Sequence, residues 1–272
     1  MDHMFDYLLY DNTPSRWEGV IIHKGSYGNE LYQCDLHSSL FGIIVEDTEE
    51  LSPDVTKPSV TLDCCILHNI GGDGLQLNNC VTNVTNTQIS NTLGHTVNIN
   101  GGSHVFVYST LAQFYPFSAN RGNALHLTSS EGASDYGLLR KAYFINCVIT
   151  GYGLDEIMGE NIVLGNFTCD YLFHHCFLNT PTVVDEEHFY GCIFDQDKNS
   201  DEGKPVRQDN FTLFDTRNYI YDFTPKTESQ IRSLADPEIE GLPTFDRKGA
   251  NRLADEGPDA GCYEYVAPAE EE

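Results

Sequence analysis

The sequence predicts an all-β chain folded as a right-handed parallel β-helix. Three observations carry that reading: a short motif that recurs along the chain, a strand pattern that follows it at a near-constant period, and an almost complete lack of helix signals. The motif is apolar, two residues, small, any residue, apolar. It occurs as Leu31-Tyr-Gln-Cys34-Asp-Leu36, Leu62-Asp-Cys-Cys65-Ile-Leu67, Val84-Thr-Asn-Thr87-Gln-Ile89 and Val107-Tyr-Ser-Thr110-Leu-Ala112. It continues as Phe144-Ile-Asn-Cys147-Val-Ile149, Phe173-His-His-Cys176-Phe-Leu178 and Phe189-Tyr-Gly-Cys192-Ile-Phe194. The residue before the small one is Gln33, Cys64, Asn86, Ser109, Asn146, His175 or Gly191. Asn and Gly there suit a corner in the left-handed backbone region.

A second pattern gives the strand after each early copy: Gly19-Val-Ile-Ile, Gly42-Ile-Ile-Val, Gly74-Leu-Gln-Leu, Thr96-Val-Asn-Ile and Ala124-Leu-His-Leu. A small residue leads an apolar–any–apolar alternation, the mark of a strand with one buried face. Val20 to Ile43 spans 23 residues, Leu75 to Val97 spans 22 and Val97 to Leu125 spans 28. Wider gaps hold loop inserts such as Glu46–Pro58. Strand–corner–strand–loop–strand units of this period stack as solenoid coils. Coils fill residues 1–195, an irregular C-terminal cap with a strand near Asn218–Phe223 fills 196–266, and 267–272 is an acidic tail. The opening MDHMFDYLLYDNTPSRW has neither a basic n-region nor an apolar h-region, so no signal peptide is visible. Met1–Tyr10 is read as covering or continuing one end of the stack, and the chain as the C-terminal portion of a longer solenoid.

The chain has 272 residues with 15 Lys and Arg against 41 Asp and Glu, a formal charge of -26. A field of that sign repels phosphate backbones and anionic lipid, which argues against nucleic-acid and membrane-surface roles. No apolar run has the length of a membrane span. Nine cysteines is an odd count, with no C-x-x-C and no Cys/His spacing of a zinc site. On the repeat, most of them form an internal ladder of reduced thiols, because equivalent positions on neighbouring parallel strands point the same way and suit disulfide geometry badly.

The closing stretch Asp246-Arg-Lys-Gly249-Ala-Asn-Arg252 … Asp259-Ala-Gly261-Cys-Tyr263-Glu264-Tyr265 resembles the C-terminal end of exported right-handed parallel β-helix proteins of Bacteroidetes, in the pectin-lyase-like superfamily. Ala260 and Cys262 depart from that family's usual apolar and Ala positions. The resemblance covers about twenty residues. It implies a β-helix and export to the periplasm, cell surface or medium, and no particular chemistry.

In that superfamily the site usually lies on the outer face of one parallel sheet. With Val20, Ile43, Leu75, Val97 and Leu125 inward, the first outward column is Ile21, Ile44, Gln76, Asn98 and His126. The second is His23, Glu46, Asn78, Asn100 and Thr128, with Met158 and Glu160 in line on the next coil. Gln76, Asn78, Asn98, Asn100 and His126 make an amide-rich face whose donors and acceptors match sugar hydroxyls. Equally, the amides could form a ladder that satisfies itself. Phe114, Tyr115, Phe117 and Arg121 sit on a loop that either walls this groove or packs as a lid on the solenoid. The leading reading is a surface or secreted protein that binds a polysaccharide. An alternative is a polysaccharide lyase or glycoside hydrolase using Glu160, Glu156 and His126, although hydrolysis needs two facing carboxyl groups and the columns offer no such pair. A third is a non-catalytic structural protein. Asp73 in the GGDG run reads as part of a tight turn. Calcium stays possible without a motif to support it, no other metal set is legible, and no cofactor is expected.

Overall fold

The computed structural model describes residues 13–47, 57–130, 137–164, 167–195, 207–216 and 218–267. The expected packing of Met1–Tyr10 and most of the acidic tail lie outside these residues. Among them there is no α-helix, only a 3-10 turn at Arg207–Asn210, and no helix long and apolar enough to cross a membrane. The architecture is two long parallel sheets, of eleven and seven strands, with two short antiparallel hairpins. Neither long sheet closes on itself.

Each solenoid-like repeat has up to three limbs. The first contains Val20–Ile22, Ile43–Val45, the opening halves of Leu75–Thr85 and Val97–Val107, then Leu125–Thr128 and Ile157–Glu160. Its register runs Ile43, Leu75, Val97, Leu125, Ile157, so the predicted inward column is one column. The second limb contains Asn29–Tyr32, Val60–Asp63, the closing halves of Leu75–Thr85 and Val97–Val107, Leu139–Ile145, Asp170–His174 and Phe189–Tyr190. The two long strands pass through both limbs, which joins them in one sheet. They turn at Asn79 (φ 40°) and Gly101 (φ 75°). The third limb is the seven-stranded sheet, from Asp35–His37 through Gln88–Thr92, Thr110–Gln113 and Val148–Gly151 to Ile193–Phe194.

The left-handed corner between second and third limbs falls at Gln33, Cys64, Asn86, Asn146, His175 and Gly191, as the motif predicts. One coil differs. There the left-handed residue is Tyr108 (φ 45°), so Ser109 rather than Thr110 occupies the ladder. Thr110 pairs with Gln88 and Val148, one step further on. The shift places Phe106 and Leu111 inward, both fully buried, and packing the larger side chains decides the register.

The ladder is chemically narrower than "small". Thr87 Oγ1 donates to the carbonyl of Thr85 at 2.8 Å and Ser109 Oγ to that of Val107 at 3.0 Å. Cys65, Cys147 and Cys176 thiols do the same toward Asp63, Ile145 and His174 at 3.3, 3.3 and 3.4 Å. The corner turns the carbonyl two residues back toward the interior, and the ladder side chain supplies its donor. All nine cysteines are free thiols.

Close approach explains the leading glycines. A Cβ on Gly42 would lie 1.9 Å from the carbonyl oxygen of Gly74, and one on Gly74 would lie 2.6 Å from that of Thr96. Inside the stack, Phe106, Phe144, Phe173 and Phe189 lie ring on ring at 5.0, 5.0 and 4.9 Å.

The closing region runs along the flank of the coils as a lateral cover. Its residues bond to corners of successive coils: Phe245 O accepts from Asn86 Nδ2, the Gly261 amide donates to Asn146 O, and Leu234 O accepts from His175. Cys262 N donates to Thr110 Oγ1 at 3.1 Å, and the Tyr263 hydroxyl to Gln88 Oε1 at 2.7 Å. This closes a second core of Ala112, Phe114, Val148, Phe177, Phe211, Phe223, Ile231 and Cys262 on the outside of the third limb. Thr110–Gln113 and Val148–Gly151 are buried at every position for this reason, with no alternation. The hairpin of Phe211–Asp215 and Ile220–Pro225, which realises the predicted late strand, belongs to the cover.

Candidate functional site

The outward columns of the first limb stand in the predicted register. Gln76, Asn98, His126 and Met158 are neighbours in one, and Asn78, Asn100, Thr128 and Glu160 in the other. The face is less open than expected. Gln76, Asn98 and His126 are half-buried, whereas Asn78 and Asn100 are only 6% and 8% exposed. Part of the ladder alternative also holds. Asn78 Oδ1 accepts from Gln76 Nε2 at 3.2 Å and from Asn100 Nδ2 at 2.9 Å. Gln76 Oε1, Asn78 Nδ2 and Asn100 Oδ1 have no hydrogen-bond partner among the described residues.

A relay crosses the coils beside them. Asp73 Oδ2 accepts from Asn98 Nδ2 at 2.7 Å, and Asp73 Oδ1 accepts from the His95 amide at 2.7 Å. The Asn98 amide is thereby oriented with Oδ1 toward His126 Nδ1, 3.0 Å away. That oxygen can only accept, so Nδ1 carries the proton and the lone pair of neutral His126 is on Nε2. Nε2 faces Glu160 Oε1 at 3.7 Å, beyond hydrogen-bond length. The His95 ring stacks on His126 with centroids 4.4 Å apart. Its Nδ1 accepts from the Asn123 amide at 3.0 Å. Burial first, then the neighbouring His126 charge, holds His95 below the usual histidine range. Asp73, read in the sequence as part of a tight turn, and His95, not singled out there, each reach the row across a turn. The only hint was the position of Asp73 one coil before Asn98.

The neighbouring acids Asp155, Glu156 and Glu160 do not act together. Asp155 Oδ1 accepts from the Ile157 amide at 3.1 Å, closing its own turn. Glu156 is 2% exposed and points inside, accepting from the Ala124 amide at 2.8 Å and the Gly153 amide at 2.6 Å. Its carboxylate holds two turns, and the structure does not bring it to His126. Desolvation raises its pKa to about 7. A carboxyl raised in the folded state contributes stability that is complete below its unfolded pKa and is lost as pH rises through the folded value. Glu156→Gln keeps one acceptor and loses the other, which should cost about 1–3 kcal/mol at pH 5. The melting-temperature gap to the parent should narrow between pH 5 and 8, since only the parent loses this contribution.

The aromatic loop belongs elsewhere. Phe114 and Tyr115 are 0% and 4% exposed. Phe114 packs edge-on against Tyr152 and Phe214 at 5.0 and 4.7 Å, in the second core. Phe117 is exposed and meets Tyr219 at 4.7 Å, while Arg121 lies over the Tyr152 ring at 4.7 Å. Phe114 is buried in the second core and Arg121 lies over Tyr152, which packs against that core, so these residues pack as the lid alternative describes. Among the described residues, the one set of groups close enough to hold a metal is His174, His175 and Asp236, on a different limb. Comparison with family models, curated proteins and solved structures finds no match.

Proposed function

We propose that this chain is a right-handed parallel β-helix of pectin-lyase-like type, placed outside the cell or in the periplasm, that binds a polysaccharide along the face of Gln76, Asn78, Asn98, Asn100 and His126. The observation that carries the reading is the alignment of these five side chains on adjacent parallel strands about 4.8 Å apart, with one amide atom left unpaired on each of Gln76, Asn78 and Asn100. Such a row offers donors and acceptors in one line, which is what a chain of sugar hydroxyls requires. The acidic surface favours neutral glycans over anionic ones. A glycan array, read together with reducing-end and unsaturated-product assays on the same polysaccharides, tests it. Retention without product supports binding; no retention on any glycan removes the proposal.

A second reading, a lyase or hydrolase, is favoured by the His126 relay alone. An oriented imidazole with Nε2 free beside Glu160 is the makings of a general base. Asp73, the other acid in the row, is held by two N–H donors, so the row does not supply a facing pair of free carboxyl groups. Glu160→Gln discriminates the readings. Binding predicts retention within about twofold of the parent, because an exposed charge contributes little. Catalysis predicts turnover falling by about 10²–10⁴ with retention intact.

A further inference from the structure

His174 and His175 are consecutive, and in an extended strand their rings would face opposite ways. The left-handed corner at His175 (φ 50°) turns its ring back toward its neighbour, leaving the centroids 4.8 Å apart. Room for that ring comes from the next coil. A Cβ on Gly191 would meet His175 Nε2 at 2.4 Å. The third group arrives from the lateral cover. Asp236 is clamped on the corner residue Asn146, whose Oδ1 accepts the Asp236 amide at 2.9 Å and whose Nδ2 donates to the Asp236 carbonyl at 3.1 Å. One ligand atom from each of the three side chains falls within 4.8 Å of the other two.

No hydrogen bond joins any two of these side chains; His174 Nε2 and Asp236 Oδ2 are 3.7 Å apart. His175 Nδ1 faces the Leu234 carbonyl at 2.8 Å. That oxygen only accepts, so Nδ1 carries the proton and the lone pair is on Nε2. An imidazole fixed by its far nitrogen on a backbone carbonyl is how metal-ligating histidines are oriented. We propose that His174, His175 and Asp236 bind one divalent transition-metal ion of the zinc class, tying the lateral cover to the coil that carries the two histidines. Two imidazoles and a carboxylate suit zinc, and calcium or magnesium would ask for an all-oxygen shell.

The test uses the whole chain, stripped with a chelator and titrated with zinc chloride by calorimetry, with bound metal counted after dialysis. One zinc per chain is expected, together with a higher melting temperature in zinc than in chelator. His174→Gln, His175→Gln and Asp236→Asn should each weaken uptake by at least about tenfold and remove the thermal gain; in chelator His174→Gln and Asp236→Asn should melt like the parent and His175→Gln below it, because it also gives up the 2.8 Å bond to the Leu234 carbonyl. Cobalt(II) on the parent gives a readout that needs no variant: visible bands without intense near-ultraviolet thiolate charge transfer are expected. No stoichiometric uptake, uptake untouched by all three substitutions, or a thiolate cobalt spectrum would each overturn the site, the second by placing the ion elsewhere on the chain and the third by placing it on the cysteines.

Discussion

Arg252→Met is expected to lower unfolding stability by about 3–5 kcal/mol, the cost of leaving a buried charge without its partner. Arg252 is 1% exposed. Its guanidinium lies over the Tyr108 ring at 3.7 Å and donates to Asn86 Oδ1 at 2.7 Å, to the carbonyls of Gly261 and Asp259 at 3.1 and 3.3 Å, and to the Glu264 carboxylate. Two of those partners, Asn86 and Tyr108, are left-handed corner residues of successive coils, so one side chain fastens the closing motif to the solenoid. Burial pushes the Glu264 pKa up to about 8 even with Arg252 opposing it. Without the guanidinium the carboxylate is less favourable still. The stability Glu264 contributes is present at low pH and lost as pH rises through its folded pKa, so the deficit of Arg252→Met should be larger at pH 8 than at pH 5. Glu264→Gln added to Arg252→Met should recover part of the loss, because it removes the stranded charge and keeps an acceptor for the Asp259 amide, now 3.1 Å from the carboxylate. Urea unfolding of the three chains at both pH values checks each step.

Phe144→Ala should cost a similar amount, about 3–5 kcal/mol, for a different reason. The ring is fully buried and sits between Phe106 and Phe173, each 5.0 Å away. Truncation removes both stacking contacts and opens a cavity that strands at fixed spacing cannot close. Phe144→Leu should cost distinctly less, since most of the volume stays. Val184→Ala, at a position 98% exposed, is the control and should change stability by less than about 0.5 kcal/mol. The shift in urea midpoint measures all three.

The coils were legible because their signal repeats. Apolar spacing of three before the small residue and two after it marks a corner, and the corners at Gln33, Asn86 and Asn146 sit where that spacing puts them. The slip at Ser109 arose where two frames each offered apolar residues, Val107 with Ala112 or Phe106 with Leu111, and only burial chooses the larger pair. A further left-handed column, Ser38, Asn69 and Asn91, went unread because those types are equally at home in ordinary loops. The lateral cover was harder. Its contacts join residues such as Tyr263 and Gln88, 175 positions apart, and no local pattern encodes them. The strand Val148-Ile-Thr-Gly151 is buried throughout yet is no continuous apolar run, so the cover on its outer face left no mark in its sequence. On the face itself, alternation placed Gln76, Asn98 and His126 correctly, but the direction of Glu156 depends on which amides lie nearby, and sequence spacing carries no such information.

The proposed contact surface for a glycan is the amide face. Calorimetric titration of the best-retained array glycan into the parent and into Asn98→Ala/Asn100→Ala tests this directly, with melting curves confirming that both chains are folded. Asn100 loses its unpaired acceptor and Asn98 the bonds that orient His126, and at about 0.5–1.5 kcal/mol per hydrogen bond the pair should weaken binding by about tenfold. Equal affinity of a folded double variant and its parent would contradict the account and place the glycan elsewhere on the solenoid.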